Sequence, residues 1–380
     1  MEDTSPLLED SGEQSTEWAM AIAKAKEIVN GLDQVVLNIA VTGETGVGKS
    51  SFVNAIRGVQ RGDEGWAPTG VTETTMEPKE YPHPSMPNVR IWDLPGIGTP
   101  SFDAKRYVNK VHFEKYDFFI IVSASRFREN DLKLANEIKK TKKKFYFVRS
   151  KIDKDVKNEI EDGGGTEEEI LLKMRKDCED NLRDLGGAPV FLITSKDLTK
   201  YDFPNLVDTL KRELPVEKMD VLLQSFPVFS KQSLDWKYQA FNKNIWQVAA
   251  ASGIVGAAPV PGLSFAVDTA MVMSFLTGVY RSFGLHDKAL EKLSETVDKP
   301  ILGEVKKSKI IQEISKYMLT SSMQPKLLAS AAVNVLSLIP VAGSIAAATL
   351  SYKTTRAVLQ QGLDELYQVA KKVLEMADLQ

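Results

Sequence analysis

Between an apolar run, VVLNIAVT (35–42), and a helical stretch, Phe52–Arg57, the chain reads Gly43-Glu44-Thr45-Gly46-Val47-Gly48-Lys49-Ser50. These eight residues fit G-x-x-x-x-G-K-[ST] in the strand–loop–helix setting that the pattern requires. The glycines let backbone N–H groups turn inward around a β-phosphate, and the helix N-terminus that follows adds a favourable dipole. Lys49 brings a mobile point charge to the β- and γ-oxygens, and the Ser50 hydroxyl is placed to ligate Mg²⁺. Gly43, Glu44, Thr45, Gly46, Val47, Gly48, Lys49, Ser50 and Ser51 are therefore the expected phosphate-side binding residues. A merely decorative glycine-rich turn is the bland reading, and the remaining motifs weigh against it.

After this loop, short apolar, β-branched or aromatic runs alternate with longer segments: VRIWDL (89–94), FFIIVS (118–123), FYFVRS (145–150) and VFLITS (190–195). The spacing of the later runs leaves room for crossover helices, which predicts a largely parallel sheet covered on both faces. The acidic, glycine-bearing stretch 159–169 reads as a surface loop. Past about Leu214 the strand pattern stops and the period becomes helical, with Leu359, Leu363, Leu366, Ala370 and Val373 forming one stripe. Before the first strand, Trp18, Ile22, Ala25 and Val29 recur at helical spacing and Gly31 is placed to end that helix. The expected division is 1–32, an N-terminal tail and helix that packs with the C-terminal helices; 33–215, the nucleotide domain; and 216–380, a helical domain.

Asp93-Leu94-Pro95-Gly96 closes the second convincing strand. Asp93 is placed to hold Mg²⁺ through water, and the Gly96 N–H to meet the γ-phosphate. Ras-like enzymes carry a water-orienting Gln directly after this glycine. Here Ile97 stands there, an apolar side chain that cannot polarise water, so hydrolysis needs another group. Ser150-Lys151-Ile152-Asp153 follows the strand FYFVR. Guanine presents N1–H and an exocyclic amine side by side, and the Asp153 carboxylate can accept both while the Lys151 stem covers the base face. Ser150 departs from the usual Asn or Thr at the head of that loop. Thr194-Ser195-Lys196, closing the last strand, matches a loop whose backbone N–H contacts guanine O6. Between the first two motifs, GVTETTMEP (70–78) holds Thr72, Thr74 and Thr75. One of them is expected to reach Mg²⁺ and the γ-phosphate and so to sense GTP, with Thr75 preferred. The expected ligands are thus GTP or GDP with Mg²⁺, the metal held by Ser50, Thr75 and Asp93.

Net charge is −3, which argues against a general nucleic-acid binder. The single cysteine, Cys178, excludes an intrachain disulfide framework. The acidic start MEDTSPLLEDSGEQSTEW carries no secretory signal pattern, Glu2 is incompatible with N-myristoylation, and MADLQ is no prenylation box. Lys139–Lys144 (KKTKKK) reads as a solvated helix end, with anionic lipid as the minority alternative. His83, His112 and His286 are scattered and suggest no metal cluster.

In combination, VTGETGVGKSSFVNAIRG (41–58), GVTETTMEPKEYPHPSMPNVRIWDLPGIGTP (70–100), YDFFIIVSASRF (116–127) and FYFVRSKID resemble the immunity-related GTPases, the interferon-inducible GTPase family of vertebrates. The resemblance is strong over about 33–215 and rests mainly on helical character beyond. It implies a Ras-like α/β domain, with a mostly parallel six-stranded sheet flanked by helices, joined to an all-α domain made from both chain ends. It implies GTP hydrolysis with GTP-dependent self-assembly on intracellular or pathogen-containing vacuolar membranes, in cell-autonomous innate defence. Lys49 points to the lysine-bearing subgroup. The family's sensing threonine falls on Thr75, and its P-loop glutamate on Glu44, which the resemblance links to contacts across paired GTPase domains. Lys49, Thr75, Gly96 and Glu44 are accordingly the expected catalytic residues, and the expected location is cytoplasmic and partly membrane-associated.

Two segments without a charged residue, Asn244–Val267 and Leu327–Tyr352, complicate the membrane question. The second is long enough to cross a bilayer, which needs about 20 apolar residues, but Pro340 and Gly343 interrupt it. A buried hairpin, a membrane-inserting hairpin and two true spans all remain open. Two functions compete with a self-assembling GTPase. One is a slow or non-hydrolysing GTP-dependent switch that recruits partners to membranes, which Ile97 keeps alive. The other is a membrane transporter with an attached GTPase domain.

Overall fold

The sheet is built outward from one strand, Leu37–Thr42 (β1), which pairs in parallel with a strand on each side. Every residue of LNIAVT but the half-buried Asn38 is buried, as in a strand covered by helices on both faces. The structure is a computed structural model that describes residues 35–70, 77–97, 103–125, 127–185, 188–256, 263–320, 325–339 and 352–379. The N-terminal helix, the three threonines of 72–75 and the centres of both charge-free segments lie outside the described residues.

After β1 come Lys49–Ile56 (α1), Lys79–Pro82 (β2), Val89–Asp93 (β3), Ala104–Lys110 (α2), Phe118–Ser123 (β4), Glu129–Lys140 (α3) and Lys144–Arg149 (β5). Ile152–Glu161 (α4), Glu167–Asn181 (α5), Val190–Leu192 (β6), Phe203–Glu213 (α6) and Val216–Ser225 (α7) complete this part. The strands lie in the order β2-β3-β1-β4-β5-β6. All neighbours are parallel except β2, which runs antiparallel to β3 at the edge. Pro82 ends that edge strand, where a missing N–H costs nothing. The six-stranded, mostly parallel α/β sheet is the one expected. The order changes direction on either side of β1, so the carboxyl ends of β1, β3 and β4 open the crevice where such sheets take their ligands.

Two apolar layers hold the sheet. On one face Ala40, Phe119, Ile121 and Phe147 pack with Tyr107, Phe113, Leu134 and Ile138. On the other, Ile39 and Phe118 lie with Phe52, Phe203, Leu222 and Phe226 around one small gap. The last two residues explain where the division of the chain falls. Val35–Phe226 forms one compact unit and the residues from Pro227 onward another, eleven residues later than the strand pattern alone suggested. α7 has a helical period like everything after it, but Met219, Leu222 and Leu223 are buried against β1 and β3, so it belongs to the sheet. The stretch 159–169 also differs from a plain loop. Only 162–166 connects α4 to α5, because Thr166 and Glu169 form a capping box that starts α5.

The second unit comprises Lys231–Gly256 (α8), Leu263–Ser282 (α9), Asp287–Val297 (α10), Ile301–Val305 (α11), Lys309–Thr320 (α12), Pro325–Ser337 (α13) and Tyr352–Met376 (α14). The expected stripe on α14, Leu359 to Val373, is buried in its core with Met271, Leu276 and Val279 of α9. Two crossed tyrosine–aspartate bonds fix α8 against α14: Tyr238 donates to Asp364 at 2.7 Å and Tyr367 to Asp235 at 2.5 Å, with the two rings 4.8 Å apart. Among the described residues, no helix is long and apolar enough to cross a membrane.

Leu222 is 1% exposed. Leu222→Ala should cost about 2–5 kcal/mol through the cavity it leaves. Urea denaturation of the two proteins measures the difference, and a loss below about 0.5 kcal/mol, typical of a surface position, would remove α7 from the sheet's core.

Candidate functional site

β1 leaves the sheet at Thr42 and turns at once, because Gly43 has φ 140°. A β-carbon on Gly43 would sit 2.0 Å from the Val122 carbonyl oxygen on β4, so the loop begins in backbone contact with the neighbouring strand. Gly48, at φ 102°, turns the chain into α1. The Lys49 ammonium folds over the loop that precedes it and donates to the carbonyls of Gly43 at 3.1 Å and Glu44 at 2.9 Å. Thr45 and Gly46 stay exposed at the tip, whereas Val47 is buried and Ser51 half-buried. At the second residue of the helix, the Ser50 hydroxyl donates to the Asp93 carboxylate at 2.7 Å. β3 delivers Asp93 because it pairs in register with Val41 of β1.

The second strand pair brings a second loop to the same place. The Ser150 N–H donates to Ser123 O at 2.7 Å, which carries the end of β5 alongside β4. The Ser150 hydroxyl then donates to Val47 O at 2.5 Å, and the Lys151 ammonium to Gly46 O at 2.6 Å. Ser150, which departs from the usual residue, thus ties this loop to the first one. Lys151 sits in the left-handed region at φ 60° and starts α4. Two residues on, the Asp153 carboxylate accepts from the Thr194 hydroxyl at 2.9 Å and from the Lys196 ammonium at 2.7 Å. Partial burial opposes ionisation of Asp153, but Lys196 and Thr194 outweigh it and hold the carboxyl below its ordinary range. Thr194 is buried, Ser195 half-buried and Lys196 exposed.

The segment Asp93–Ile97 runs beside the first loop. Leu94 N–H donates to Val41 O at 2.9 Å and Ile97 N–H to Gly43 O at 3.4 Å. Tyr107 of α2 donates to Pro95 O at 2.8 Å, and the Asn130 amide of α3 to Ile97 O at 2.8 Å. The Ile97 side chain is fully buried in the core with Leu94 and Tyr107.

Around the loop's second residue lies a cluster that motif reading missed. Glu44 forms a 3.0 Å ion pair with Arg128. The Arg128 N–H donates to the Asp131 carboxylate at 2.9 Å, the capping contact of α3. Asp131 is only 1% exposed. Desolvation pushes its carboxyl up to about 6; the Arg128 N–H opposes the shift and the Glu44 charge adds to it. A local signal existed, since Asn130-Asp131 stands just ahead of the apolar period of α3, where N-terminal acids are favoured. The sheet brings together Gly43–Ser51, Asp93, Gly96, Lys151, Asp153 and Thr194–Lys196; Thr75 lies outside the described residues.

A strand–loop–helix with the lysine and serine of a phosphate loop, an acidic strand end against that serine, and a carboxylate loop on the next strand define a P-loop GTPase. The comparisons narrow the class. A family profile described as "Interferon-inducible GTPase (IIGP)" matches residues 13–377. Interferon-inducible GTPase 5 of Rattus norvegicus is 38% identical over 371 residues, covering 95% of this chain and 80% of that protein. Interferon-gamma-inducible GTPase 10 and interferon-inducible GTPase 1 of Mus musculus are each 42% identical, covering 72% and 69% of this chain and 67% and 65% of those proteins. The chain belongs to the interferon-inducible GTPase family: it binds guanine nucleotide and hydrolyses GTP.

The position of Asp131 makes stability depend on pH. Its folded carboxyl titrates near 6 against 3.8 when unfolded, so the contribution is full below about pH 3.8 and is lost as pH rises through 6. Asp131→Asn keeps an acceptor for the Arg128 N–H without the charge. The stability of this variant relative to the parent should therefore improve by about 1–3 kcal/mol between pH 4.5 and 7.5, measured by urea denaturation. An unchanged difference at the two pH values would refute the burial argument.

Proposed function

We propose that Gly43–Ser51 hold the phosphates of GTP or GDP, that Asp153 selects guanine, and that the enzyme works as a GTP-driven self-assembling protein on intracellular membranes in cell-autonomous innate defence. The observation that carries the nucleotide reading is the meeting of Ser50 and Asp93 beside Lys49. A hydroxyl and a carboxylate are hard oxygen donors of the kind that suit Mg²⁺ in nucleotide sites. Ser50, Asp93 and, by the family resemblance, Thr75 would hold that ion, which when bound neutralises charge on the β- and γ-oxygens. Asp153 is kept ionised by Lys196, and the backbone after Thr194 lies next to it for guanine O6. Lys151, already stretched across the loop to Gly46, would cover the base face.

Self-assembly is supported by the side chain that follows the Asp93–Gly96 motif. Ile97 is committed to the core, so the side chain after the Asp93–Gly96 motif aligns no water. Glu44 and Arg128 stand as a charged pair on the rim of the phosphate loop, where a second copy could engage them. In the charge-free segments, the exposed side chains of Trp246 and Val333 are apolar surface that assembled copies would present to lipid. A switch that hydrolyses slowly and recruits partners to membranes is the reading that survives if hydrolysis does not depend on protein concentration.

Two measurements separate these parts. Asp153→Asn should weaken GTP binding by about 100-fold and shift preference toward xanthine nucleotides, because one carboxylate no longer accepts two guanine donors. An unchanged guanine preference in a competition assay would take Asp153 out of the base pocket. Phosphate release per molecule should rise with protein concentration, and light scattering should increase with GTP but not GDP; Lys49→Ala should abolish both responses. Concentration-independent turnover with flat scattering would leave the slow switch, and failure to bind liposomes in every nucleotide state would remove the membrane part.

A further inference from the structure

The Pro95–Gly96 peptide is held by a buried phenol that no motif predicts. Tyr107 donates to Pro95 O at 2.8 Å, and its oxygen lies 3.1 Å from the Thr42 hydroxyl. The phenol has one proton and the Pro95 carbonyl can only accept, so the Thr42 hydroxyl is the donor in the second bond. A hydrogen-bonded chain thus runs from the last residue of β1, through α2, to the segment after β3. The ring is 8% exposed and stands edge-on to Phe113 at 6.3 Å, which fixes where its hydroxyl points. Burial above all, with the nearby Asp93 carboxylate adding to it and the Thr42 bond partly opposing, pushes the phenol's pKa well above its ordinary value, so it keeps its proton throughout the working pH range.

A trans peptide is planar, and its C=O and N–H point in opposite directions. Fixing the Pro95 carbonyl on Tyr107 therefore fixes the Gly96 N–H away from it. Without that hold the plane is free to turn, because Gly96 has no β-carbon to oppose rotation. A hydrogen bond to the carbonyl also polarises the peptide and makes its N–H a better donor. The next two peptides are held as well: Ile97 N–H reaches Gly43 O, and the Asn130 amide donates to Ile97 O.

We propose that Tyr107 is a positioning residue for GTP hydrolysis: by anchoring the Pro95 carbonyl, with Thr42 behind it, it keeps the Gly96 N–H aimed at the γ-phosphate. This rests on the assignment of Gly96 to the γ-phosphate. GDP has no γ-phosphate, so its binding does not depend on Tyr107.

The test uses the full chain with Tyr107→Phe, Thr42→Val and, as a control, Tyr116→Phe, a buried phenol of the same apolar layer that lies outside the site. Affinities for GDP and a non-hydrolysable GTP analogue, kcat and KM at fixed protein concentration, and thermal melting are measured. Tyr107→Phe should lower kcat by about tenfold or more and weaken the analogue, with KM for GTP moved by no more than about threefold and GDP affinity unchanged. Thr42→Val should shift kcat the same way by about two- to fivefold, and Tyr116→Phe should match the parent. Parental kcat in Tyr107→Phe, or an equal loss of GDP and analogue affinity with kcat preserved, overturns the proposal. If Tyr107→Phe does not fold, Thr42→Val decides, and a parental kcat there is equally fatal. A parent protein that hydrolyses GTP while Tyr107→Phe does the same sinks only this inference; a parent whose GDP and analogue affinities are equal sinks the Gly96 assignment with it.

Discussion

The phosphate loop depends on an approach of backbone to backbone that only glycine permits. With 2.0 Å between a would-be β-carbon at Gly43 and the Val122 oxygen, any side chain there would push the loop off the end of β4. In register, β1 ends one residue beyond Asp93 of β3, and β4 runs two residues further to Ser123. Asp93 from β3 then meets Ser50, and Ser150, carried by β5, meets Val47. The functional side chains are not gathered by contacts among themselves. They are delivered by strand register, and their hydrogen bonds record where the register put them.

The sequence made part of this legible. A mostly apolar, β-branched run before a glycine-rich loop reads as a central parallel strand, and the later runs read as the remaining parallel strands. The edge strand Lys79–Pro82 was not visible, because a four-residue exposed strand with a proline has no periodicity to detect. Candidate nucleotide residues can be named from sequence because phosphate, magnesium and guanine each demand a specific residue type at a specific distance from a strand end. Tyr107 and Arg128 were not readable for the converse reason, and Asn130-Asp131 signalled only the start of a helix. Each acts on backbone or on a charge brought near by the fold, and a tyrosine that holds a carbonyl looks in sequence like a tyrosine that fills a core. The boundary was misplaced by one helix on the same logic. Helical period tells that Val216–Ser225 is a helix, but not which core its leucines enter.

Ser150 shows how a departure from a motif can be absorbed. A hydroxyl reaches the Val47 carbonyl across the crevice, and Lys151 reaches the adjacent Gly46 carbonyl. The 150–153 loop is thereby fastened to the 43–50 loop through two consecutive carbonyls. Displacing either loop strains the other, so the two halves of the candidate site are mechanically linked.

Ile97 turns a deficit into a constraint on mechanism. A side chain that aligned water would have to remain mobile and solvated, whereas Ile97 is buried and its peptide is pinned at both ends by Gly43 and Asn130. The segment has exchanged a reactive side chain for a rigid backbone. A rigid backbone can sense the γ-phosphate and stabilise charge through a fixed N–H, since preorganised dipoles need no rearrangement as charge develops. It cannot abstract or orient a proton. On the proposed reading, chemistry at this site divides between a preset electrostatic frame supplied by the strand ends and a water-aligning group supplied from elsewhere, and that division would couple the rate to whatever delivers the second part.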